Sequence, residues 1–285
     1  MPEKMLICTD LDRTLIPNGP QPESPAARQY FSALISRPEV KLAYVSGRHR
    51  KLVQSAITNY CLPVPDFVIG DVGTTIYHLD GPGNWERQTD WEEHIARDWS
   101  GKTHADLKLM LNDIHALRLQ ESSKQNHFKL SFYIPLQADR QALTALMEKR
   151  FHEAGVKASL IWSINEPAGV GLLDILPASA SKLHAIQALM QMLGFDYSNT
   201  IFSGDSGNDI EVLASPVPAV MVANSSPDVQ ELATLLASEN GCSDKLYIAQ
   251  GSFSGMNGNY SAGILEGIVH YFPATRAWIA PEKSE

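Results

Sequence analysis

The first part of the chain alternates short apolar runs with amphipathic stretches. Met5–Thr9, Val40–Val45 and Asp66–Ile69 are short and mainly apolar, which is typical of strands that are buried on both faces of a sheet. The stretches between them, Ala26–Ile35 and Arg50–Tyr60, predict helices. Because strands and helices alternate in this order, the pattern predicts parallel strands with helices packed on the faces of the sheet.

The pattern changes after the third strand. Thr74–His78 and the turn Gly81–Asn84 indicate a hairpin instead of another crossover. From residue 80 to residue 171 the chain then predicts an inserted α+β unit, a small lid with its own antiparallel sheet. The predicted elements here are helices over Leu107–Leu117 and Leu143–Phe151 and strands over Lys129–Ile134, Leu160–Ile164 and Leu172–Leu176.

The alternation of strands and helices resumes after the inserted unit. The predicted strands are Thr200–Ser203, Val217–Val222 and Lys245–Ala249. The predicted helices are Leu183–Leu193, a helix that follows Asp209 and ends at about Leu213, Pro227–Ala237 and Ala262–Phe272. The predicted fold class is therefore α/β, with a Rossmann-like parallel-sheet core at 1–79 and 172–285 and an inserted α+β cap at 80–171. We expect Gly251–Asn259 to be a mobile surface loop and the polar tail after Phe272 to fray.

Composition narrows the class of protein. The chain has 285 residues, of which 44% are hydrophobic and 19% charged, so an ordered globular core is expected. A net charge of −9 argues against a nucleic-acid-binding surface, and no apolar run reaches the length of a membrane span. Cys8, Cys61 and Cys242 lie far apart and form no disulfide or zinc motif. Since no signal peptide is visible, we expect a cytoplasmic protein without membrane or nucleic-acid partners.

Polar residues capable of chemistry stand where the predicted strands end. Taken singly, each has an ordinary explanation, such as a helix cap, a turn or a solvated lysine. Because the carboxyl ends of parallel strands share one edge of a sheet, the set in this order predicts one ligand site. Its members are Asp10 and Asp12, Ser46 and Gly47, Lys182 at the start of a helix, and the acidic loop Gly204–Asp209.

The charges of this set fit a phosphate ester. Asp10, Asp205 and Asp209 would add three negative charges to those of a phosphate, which is untenable unless a cation enters the site. Carboxylate oxygens favour a hard cation such as Mg²⁺. Lys182 supplies a further positive charge.

The same set contains groups that could carry out the reaction. The hydroxyl of Ser46 and the backbone N–H of Gly47, beside a helix start, could cradle the phosphate. Asp10 could attack phosphorus and form an aspartyl-phosphate. Asp12 could then protonate the leaving alcohol and later activate a water molecule.

These residues resemble the four ordered motifs of the haloacid dehalogenase superfamily, and the insertion resembles its C2-type cap. The matching stretches are Asp10-Leu11-Asp12-Arg13-Thr14, Ser46, Lys182 and Gly204-Asp205-Ser206-Gly207-Asn208-Asp209. The resemblance implies that Asp10 is the nucleophile and that Asp12 is the acid and base. It also implies Mg²⁺ held by Asp10, Asp205 or Asp209 and the backbone carbonyl of Asp12, and phosphate held by Ser46, Gly47 and Lys182 with Asn208 in support. Ion-pumping members carry threonine at the position of Asp12, so an acid there indicates a phosphatase or a mutase.

A finer resemblance links the chain to bacterial sucrose-phosphate phosphatases. The stretches that carry it are Ala43–Arg48, Gly73–His78, Phe128–Phe132, Asp174–Pro177 and Ala262–Gly267. It implies Mg²⁺-dependent hydrolysis of a sugar phosphate, sucrose 6-phosphate before others, and a sucrose-phosphate synthase as a partner. Mannosylfructose phosphate and mannosylglycerate phosphate are alternative substrates, and a non-catalytic regulatory module is the alternative of a different class. Arg13 stands where the superfamily commonly has glycine or asparagine.

Three further residues are candidates for contacts with the substrate. Arg48 either reaches the substrate or pairs with an acid. Lys129 and His127, in the cap, are candidates for contacts with the sugar or its phosphate. The alternative for Lys129 is a solvated strand lysine, and for His127 an ordinary surface or core role.

Overall fold

The computed structural model describes residues 4–81, 83–165 and 168–279 of the chain. The strands in these ranges are β1 Met5–Thr9, β2 Val40–Val45, β3 Phe67–Gly70, β4 Thr75–Leu79, β5 Trp85–Arg87, β6 Arg118–Leu119, β7 Leu130–Ile134, β8 Ala158–Asn165, β9 Val170–Pro177, β10 Thr200–Gly204, β11 Ala219–Met221 and β12 Leu246–Ile248. The α-helices are α1 Ala27–Ile35, α2 Arg50–Asn59, α3 Thr89–Ala96, α4 His104–Met110, α5 Arg140–Glu153, α6 Lys182–Leu193, α7 Ile210–Leu213, α8 Pro227–Glu239, α9 Ser261–Tyr271 and α10 Arg276–Ile279. No helix in these ranges is both long enough and apolar enough to cross a membrane.

The larger sheet has eight strands in the order β12-β11-β10-β1-β2-β3-β4-β5. Neighbours from β12 to β3 pair in parallel, whereas β4 and β5 are antiparallel additions at one edge. This arrangement confirms the predicted α/β class and the hairpin after the third strand. Since β1 lies at the centre and β10 beside it, the residues that follow these two strands emerge next to each other.

Alternating side chains of β1 divide the core into two layers. Met5 and Ile7 pack with residues of α1, α2, α9 and α10, whereas Leu6 and Cys8 pack with residues of α3, α6, α7 and α8. All five residues of β1 are buried, as expected for a central strand with helices on both faces.

The smaller sheet is antiparallel and has the order β6-β7-β9-β8. Its own hydrophobic cluster contains Trp99 and residues of α4 and α5. We predicted a cap at 80–171, but β5 pairs in the larger sheet, α3 packs on that sheet, and β9 pairs in the smaller one. The chain passes between the two sheets in the segments that contain Asp98 and Ser179. The backbone N–H and hydroxyl of Ser179 donate to Asp98, so these two segments are joined. We therefore propose that the division between core and cap lies near Asp98 and near Ser179.

One predicted helix of the cap is shorter than its apolar spacing indicates. The pattern predicted a helix over Leu107–Leu117, but α4 ends at Met110. The Met110 carbonyl accepts a hydrogen bond from Arg150 at 2.6 Å, and Leu111 and Ile114 are buried in turns that follow the helix. Apolar residues at helical spacing therefore fill the same core from turns.

The segment after Phe272 does not fray over the residues described. Residues 273–275 form a turn of 3₁₀ helix and α10 follows directly. Ile279 is buried, and the guanidinium of Arg37 lies 4.4 Å from the ring centre of Trp278. The expectation of fraying is thus wrong up to Ile279, because apolar residues anchor this tail, and its last residues lie outside the described ranges.

The loop Gly251–Asn259 is packed and is not the mobile surface loop that we predicted. Phe253 and Met256 are buried in the main core, and the side-chain amide of Asn257 donates to the carbonyl of Pro22 at 2.8 Å. Glu266 of α9 accepts the backbone N–H of Gly251 at 2.9 Å. The prediction failed because the buried contacts of this loop come from distant parts of the chain.

Candidate active site

A cavity of about 370 Å³ lies where the ends of β1, β2, β3 and β10 face the smaller sheet. The core contributes Asp10, Asp12, Arg13, Ser46, Gly47, Arg48, His49, Leu52, Asp71, Val72, Asp205, Ser206 and Asn208, and the cap contributes Gln120, Ser123, Lys124, Lys129, Leu172 and Asp174. The volume falls within the range of small-molecule sites. A ligand held here would therefore touch both domains.

Three buried aspartates meet at the core end of this cavity. One carboxylate oxygen from each of Asp10, Asp205 and Asp209 lies within 4.8 Å of the others, and we call these residues the aspartate cluster. Burial raises the pKa of Asp10 to about 8, with Lys182 opposing the rise and the other two aspartates adding to it. Burial and Asp209 likewise raise the pKa of Asp205 to about 6. With all three carboxylates ionised, the cluster would therefore carry more negative charge than its protein surroundings neutralise.

Lys182 is the buried cation of the cluster. Its ammonium donates to Asp209 at 2.7 Å, to Asn208 at 3.0 Å and to Asp10 at 3.1 Å. Although burial opposes it, the carboxylates of Asp10 and Asp209 raise the pKa of Lys182, so the side chain is charged. Ser181 caps the helix that begins at Lys182, and the lysine thus points inward from a fixed helix start.

Two glycines allow the backbone segments of the site to approach one another. A Cβ on Gly204 would lie 2.6 Å from the carboxyl carbon of Asp209. A Cβ on Gly73, whose φ is +100°, would lie 2.5 Å from the carbonyl of Ser181, directly before Lys182. Any side chain at either position would therefore displace a charged member of the site.

Asp12 is held by an ion pair at the mouth of the cavity. The guanidinium of Arg48 donates to both of its carboxylate oxygens at 2.6 Å, and the amide of Asn18 donates at 2.7 Å. Burial acts to raise the pKa of Asp12, but these hydrogen bonds outweigh it and the pKa is lowered. Arg48 therefore pairs with an acid and also lines the cavity.

The structure brings Ser46 and Gly47 to the cavity with the aspartate cluster. Ser46 is buried, and its hydroxyl oxygen accepts the backbone N–H of Arg48 at 3.2 Å. Of the two cap candidates, Lys129 is buried, lines the cavity and lies 3.6 Å from a carboxylate oxygen of Asp174. His127 is exposed, packs edge-on against Phe128 and is not among the residues that line the cavity.

Several cavity residues did not stand out in the sequence. Asp71 directly follows β3, so the strand-end signal that singled out Asp10 was present there too. Gln120 and Lys124 had no such signal, and Asp174 entered only as part of the stretch Asp174–Pro177, because only the folding of the cap turns these residues toward the core. Arg13 approaches Asp205 with its Nε 3.5 Å from a carboxylate oxygen.

Comparisons with known proteins show the family to which the chain belongs. Residues 3–272 match the family model described as sucrose-6F-phosphate phosphohydrolase. A HAD-like hydrolase of Nitrosococcus oceani is 52% identical over 286 residues, which cover 100% of this chain and 76% of that protein. Sucrose-phosphatase 1 of Nicotiana tabacum is 31% identical, over 94% of this chain and 59% of its own length. The chain therefore spans less than two thirds of the plant protein.

A solved structure resembles the whole architecture. It is the sucrose-phosphatase of Synechocystis sp. PCC6803 in complex with sucrose and phosphate, with a TM-score of 0.72 and 26% identity. The match covers 94% of this chain and 98% of that one, so it includes both the core and the cap.

Proposed function

Because the chain belongs to the sucrose-6F-phosphate phosphohydrolase family of the haloacid dehalogenase superfamily and is a phosphatase, we propose that it hydrolyses sucrose 6-phosphate and requires Mg²⁺. The observation that carries the proposal is the aspartate cluster with Lys182 at the base of a cavity that the cap also lines. The solved relative is in complex with sucrose and phosphate, which together are the expected products. A non-catalytic module is disfavoured, since each of the four motifs contributes at least one residue to this cavity or its base.

The donor set of the aspartate cluster fits a hard divalent cation. Asp209 already accepts hydrogen bonds from Lys182 and from the backbone N–H groups of Asp205 and Ser206. Asp205 accepts one from the hydroxyl of Thr14, so acceptor capacity is left on Asp205 and on Asp10. These two residues, with the backbone carbonyl of Asp12, would hold Mg²⁺, while Asp209 fixes Lys182. A bound cation would offset the excess negative charge and stabilise charge on the phosphoryl oxygens.

Asp10 is placed to form the covalent intermediate. Its carboxylate oxygen would form a bond to phosphorus as the bond from phosphorus to the sugar oxygen breaks, and the leaving oxygen would take a proton from Asp12. Asp12 would then accept a proton from water as the water oxygen attacks the aspartyl-phosphate, which frees inorganic phosphate and restores Asp10. Ser46, Gly47 and Lys182 would hold the phosphoryl oxygens.

Arg48 links substrate binding to the acid. In the structure Nε and Nη2 of its guanidinium donate to the carboxylate of Asp12, which is thereby kept ionised, and Nη1 donates to the carbonyl of Leu52 at 3.4 Å. A phosphate that enters the cavity would compete with Asp12 for this guanidinium, because Arg binds both groups in the same forked geometry. Release from Arg48 would let Asp12, whose side chain is 42% exposed, take up a proton from solvent and turn toward the leaving oxygen.

Phosphate release from a panel of substrates tests the proposal. We expect sucrose 6-phosphate to have a higher kcat/KM than mannosylfructose phosphate, mannosylglycerate phosphate or simple hexose phosphates, and EDTA to abolish turnover until Mg²⁺ is restored. Asp10→Asn should lower kcat by at least about 10³-fold without unfolding the protein, whereas Asp80→Asn, at an exposed carboxylate, should leave it unchanged. Equal rates with all sugar phosphates would refute the choice of sucrose 6-phosphate, and turnover by Asp10→Asn would refute the mechanism. A sucrose-phosphate synthase partner and a cytoplasmic location stay predictions.

A further inference from the structure

The carboxylate of Asp71 has no role in the chemistry above, yet it is buried in the wall of the same cavity. Asp71 is 5% exposed and follows β3, the strand next to β2. It belongs to the core, whereas the residues opposite it in the cavity belong to the cap. A buried carboxylate that faces a cavity requires a partner, since its burial alone is costly.

A strained turn holds this carboxylate in place. Asp71 and Val72 have φ angles of 52° and 63°, and Gly73 follows with φ 100°. A β-branched residue such as Val72 rarely adopts this left-handed conformation. The backbone N–H of Asp71 donates to the carbonyl of Arg48 at 3.1 Å, and that of Val72 donates to the carbonyl of Ser46 at 3.2 Å. The turn is therefore fastened to the segment that carries the proposed phosphate ligands, which is where strain is commonly functional.

The protein groups around Asp71 do not use all the hydrogen-bond acceptor positions of its carboxylate. Burial raises the pKa of Asp71, and Lys129 and the amide of Asn126, both from the cap, oppose the rise. Each of these cap groups has a second partner, because Lys129 lies 3.6 Å from Asp174 and Asn126 donates to Thr74 at 2.8 Å. A carboxylate has about four acceptor positions. Acceptor capacity is thus left toward the cavity, where a ligand with hydroxyl groups would supply the donors.

We propose that Asp71 is a specificity-determining residue, which accepts hydrogen bonds from hydroxyl groups of the sugar that leaves. This inference rests on the proposed function and identifies a residue of the core that would bind the sugar of that substrate. Small phosphate esters without hydroxyl groups in this region would gain nothing from Asp71. The residue should therefore affect the choice among substrates more than the phosphoryl transfer itself.

The test compares Asp71→Asn with the native enzyme on sucrose 6-phosphate and on p-nitrophenyl phosphate. Asparagine has the size of aspartate and also tolerates a left-handed backbone, so the turn should be kept. We expect the ratio of kcat/KM for sucrose 6-phosphate to that for p-nitrophenyl phosphate to fall roughly 10- to 100-fold, the range of a lost hydrogen bond to a charged group. The inhibition constant of sucrose should rise in parallel. Asp80→Asn, which removes one exposed carboxylate, should leave the ratio unchanged.

Each outcome of this comparison decides the matter. Equal losses with both substrates would mean that Asp71 positions the phosphate ligands or the cap, and an unchanged ratio would mean that it does not touch the sugar; either would overturn the inference. If the native enzyme does not favour sucrose 6-phosphate, the choice of that substrate fails separately, and the best glycosyl-sugar phosphate of the panel takes its place in the ratio. A selective loss with that substrate supports the role of Asp71, and a uniform loss overturns it.

Discussion

Two buried carboxylate sites in the core show opposite electrostatics. Glu266 of α9 is 3% exposed and accepts hydrogen bonds from the hydroxyl of Tyr247 at 2.8 Å, the backbone N–H groups of Gln250 and Gly251 at 2.8 and 2.9 Å, and the hydroxyl of Ser252 at 3.0 Å. Burial acts to raise the pKa of Glu266, but these donors outweigh it and the pKa is lowered. In the aspartate cluster, burial and repulsion raise the pKa of Asp10 and of Asp205.

The difference separates a structural carboxylate, Glu266, from the carboxylates that we propose to be reactive. Neutral donors converge on Glu266 and satisfy its oxygens without adding like charge, so the residue fixes a loop and has no capacity left for a ligand. The aspartate cluster instead groups three carboxylates around Lys182, and its excess negative charge would favour a bound cation, which in turn would attract a phosphoryl group. Little solvent exposure is thus accompanied by a lowered pKa at Glu266 and by raised pKa values at Asp10 and Asp205, because different groups surround these carboxylates.

The largest expected effect on stability comes from removal of the Glu266 carboxylate. Glu266→Ala would leave the donors of Gln250, Gly251 and Ser252 without their acceptor, and we expect the free energy of unfolding to fall by about 3 kcal/mol or more. Urea unfolding measures this loss. Glu239→Ala, at an exposed glutamate of α8, is the matched control and should change the free energy by less than about 0.5 kcal/mol. A loss at Glu266 no larger than that of the control would show that these hydrogen bonds do not hold the loop.

A smaller expected effect is the pH dependence of stability in the metal-free protein, which has opposite signs for the two sites. Because the folded-state pKa of Asp205 is raised to about 6, ionisation of this residue lowers stability as pH rises from about 4 to about 6. The stability of Asp205→Asn relative to the native chain should therefore increase over that interval. The lowered pKa of Glu266 contributes stability above about pH 4.3, and that contribution is lost as pH falls through the folded-state pKa. The loss in free energy of unfolding that Glu266→Gln causes should accordingly become smaller as the pH falls.

Urea unfolding in the presence of EDTA, repeated across this pH range, gives the difference in free energy of unfolding between each variant and the native chain. The slope of that difference against pH is then compared for the two variants. Slopes of the same sign for Asp205→Asn and Glu266→Gln would contradict the electrostatic distinction between the two sites.

The sequence allowed most of the larger sheet and the strand-end aspartates to be predicted. Strand ends of a parallel sheet share one edge, so Asp10 and Asp205 could be placed together from element order alone. Asp71 follows a strand in the same way but was missed, because the left-handed turn that directs its side chain into the cavity has no sequence signal beyond Gly73. Lys129 and His127 were both predicted as cap contacts to the sugar or its phosphate, and of the two Lys129 lines the cavity.

Contacts between distant segments account for the other differences. Asn257 and Phe253 are fixed by residues near Pro22 and by the main core, and a glycine-rich stretch gives no hint of such partners. The proposed boundary of the cap differs from the predicted one because the composition of β9 is typical of a core strand, whereas β9 pairs with β7 and β8 in the smaller sheet.

Stabilisation by Mg²⁺ tests most directly the claim that the aspartate cluster is short of positive charge. At a Mg²⁺ concentration ten times Kd, the free energy of unfolding of the native chain should rise by about 1.4 kcal/mol. Glu266→Gln should show the same increment, and Asp205→Asn should lose most of it. A native chain that Mg²⁺ does not stabilise, or an Asp205→Asn variant stabilised as much as the native chain, would contradict the account.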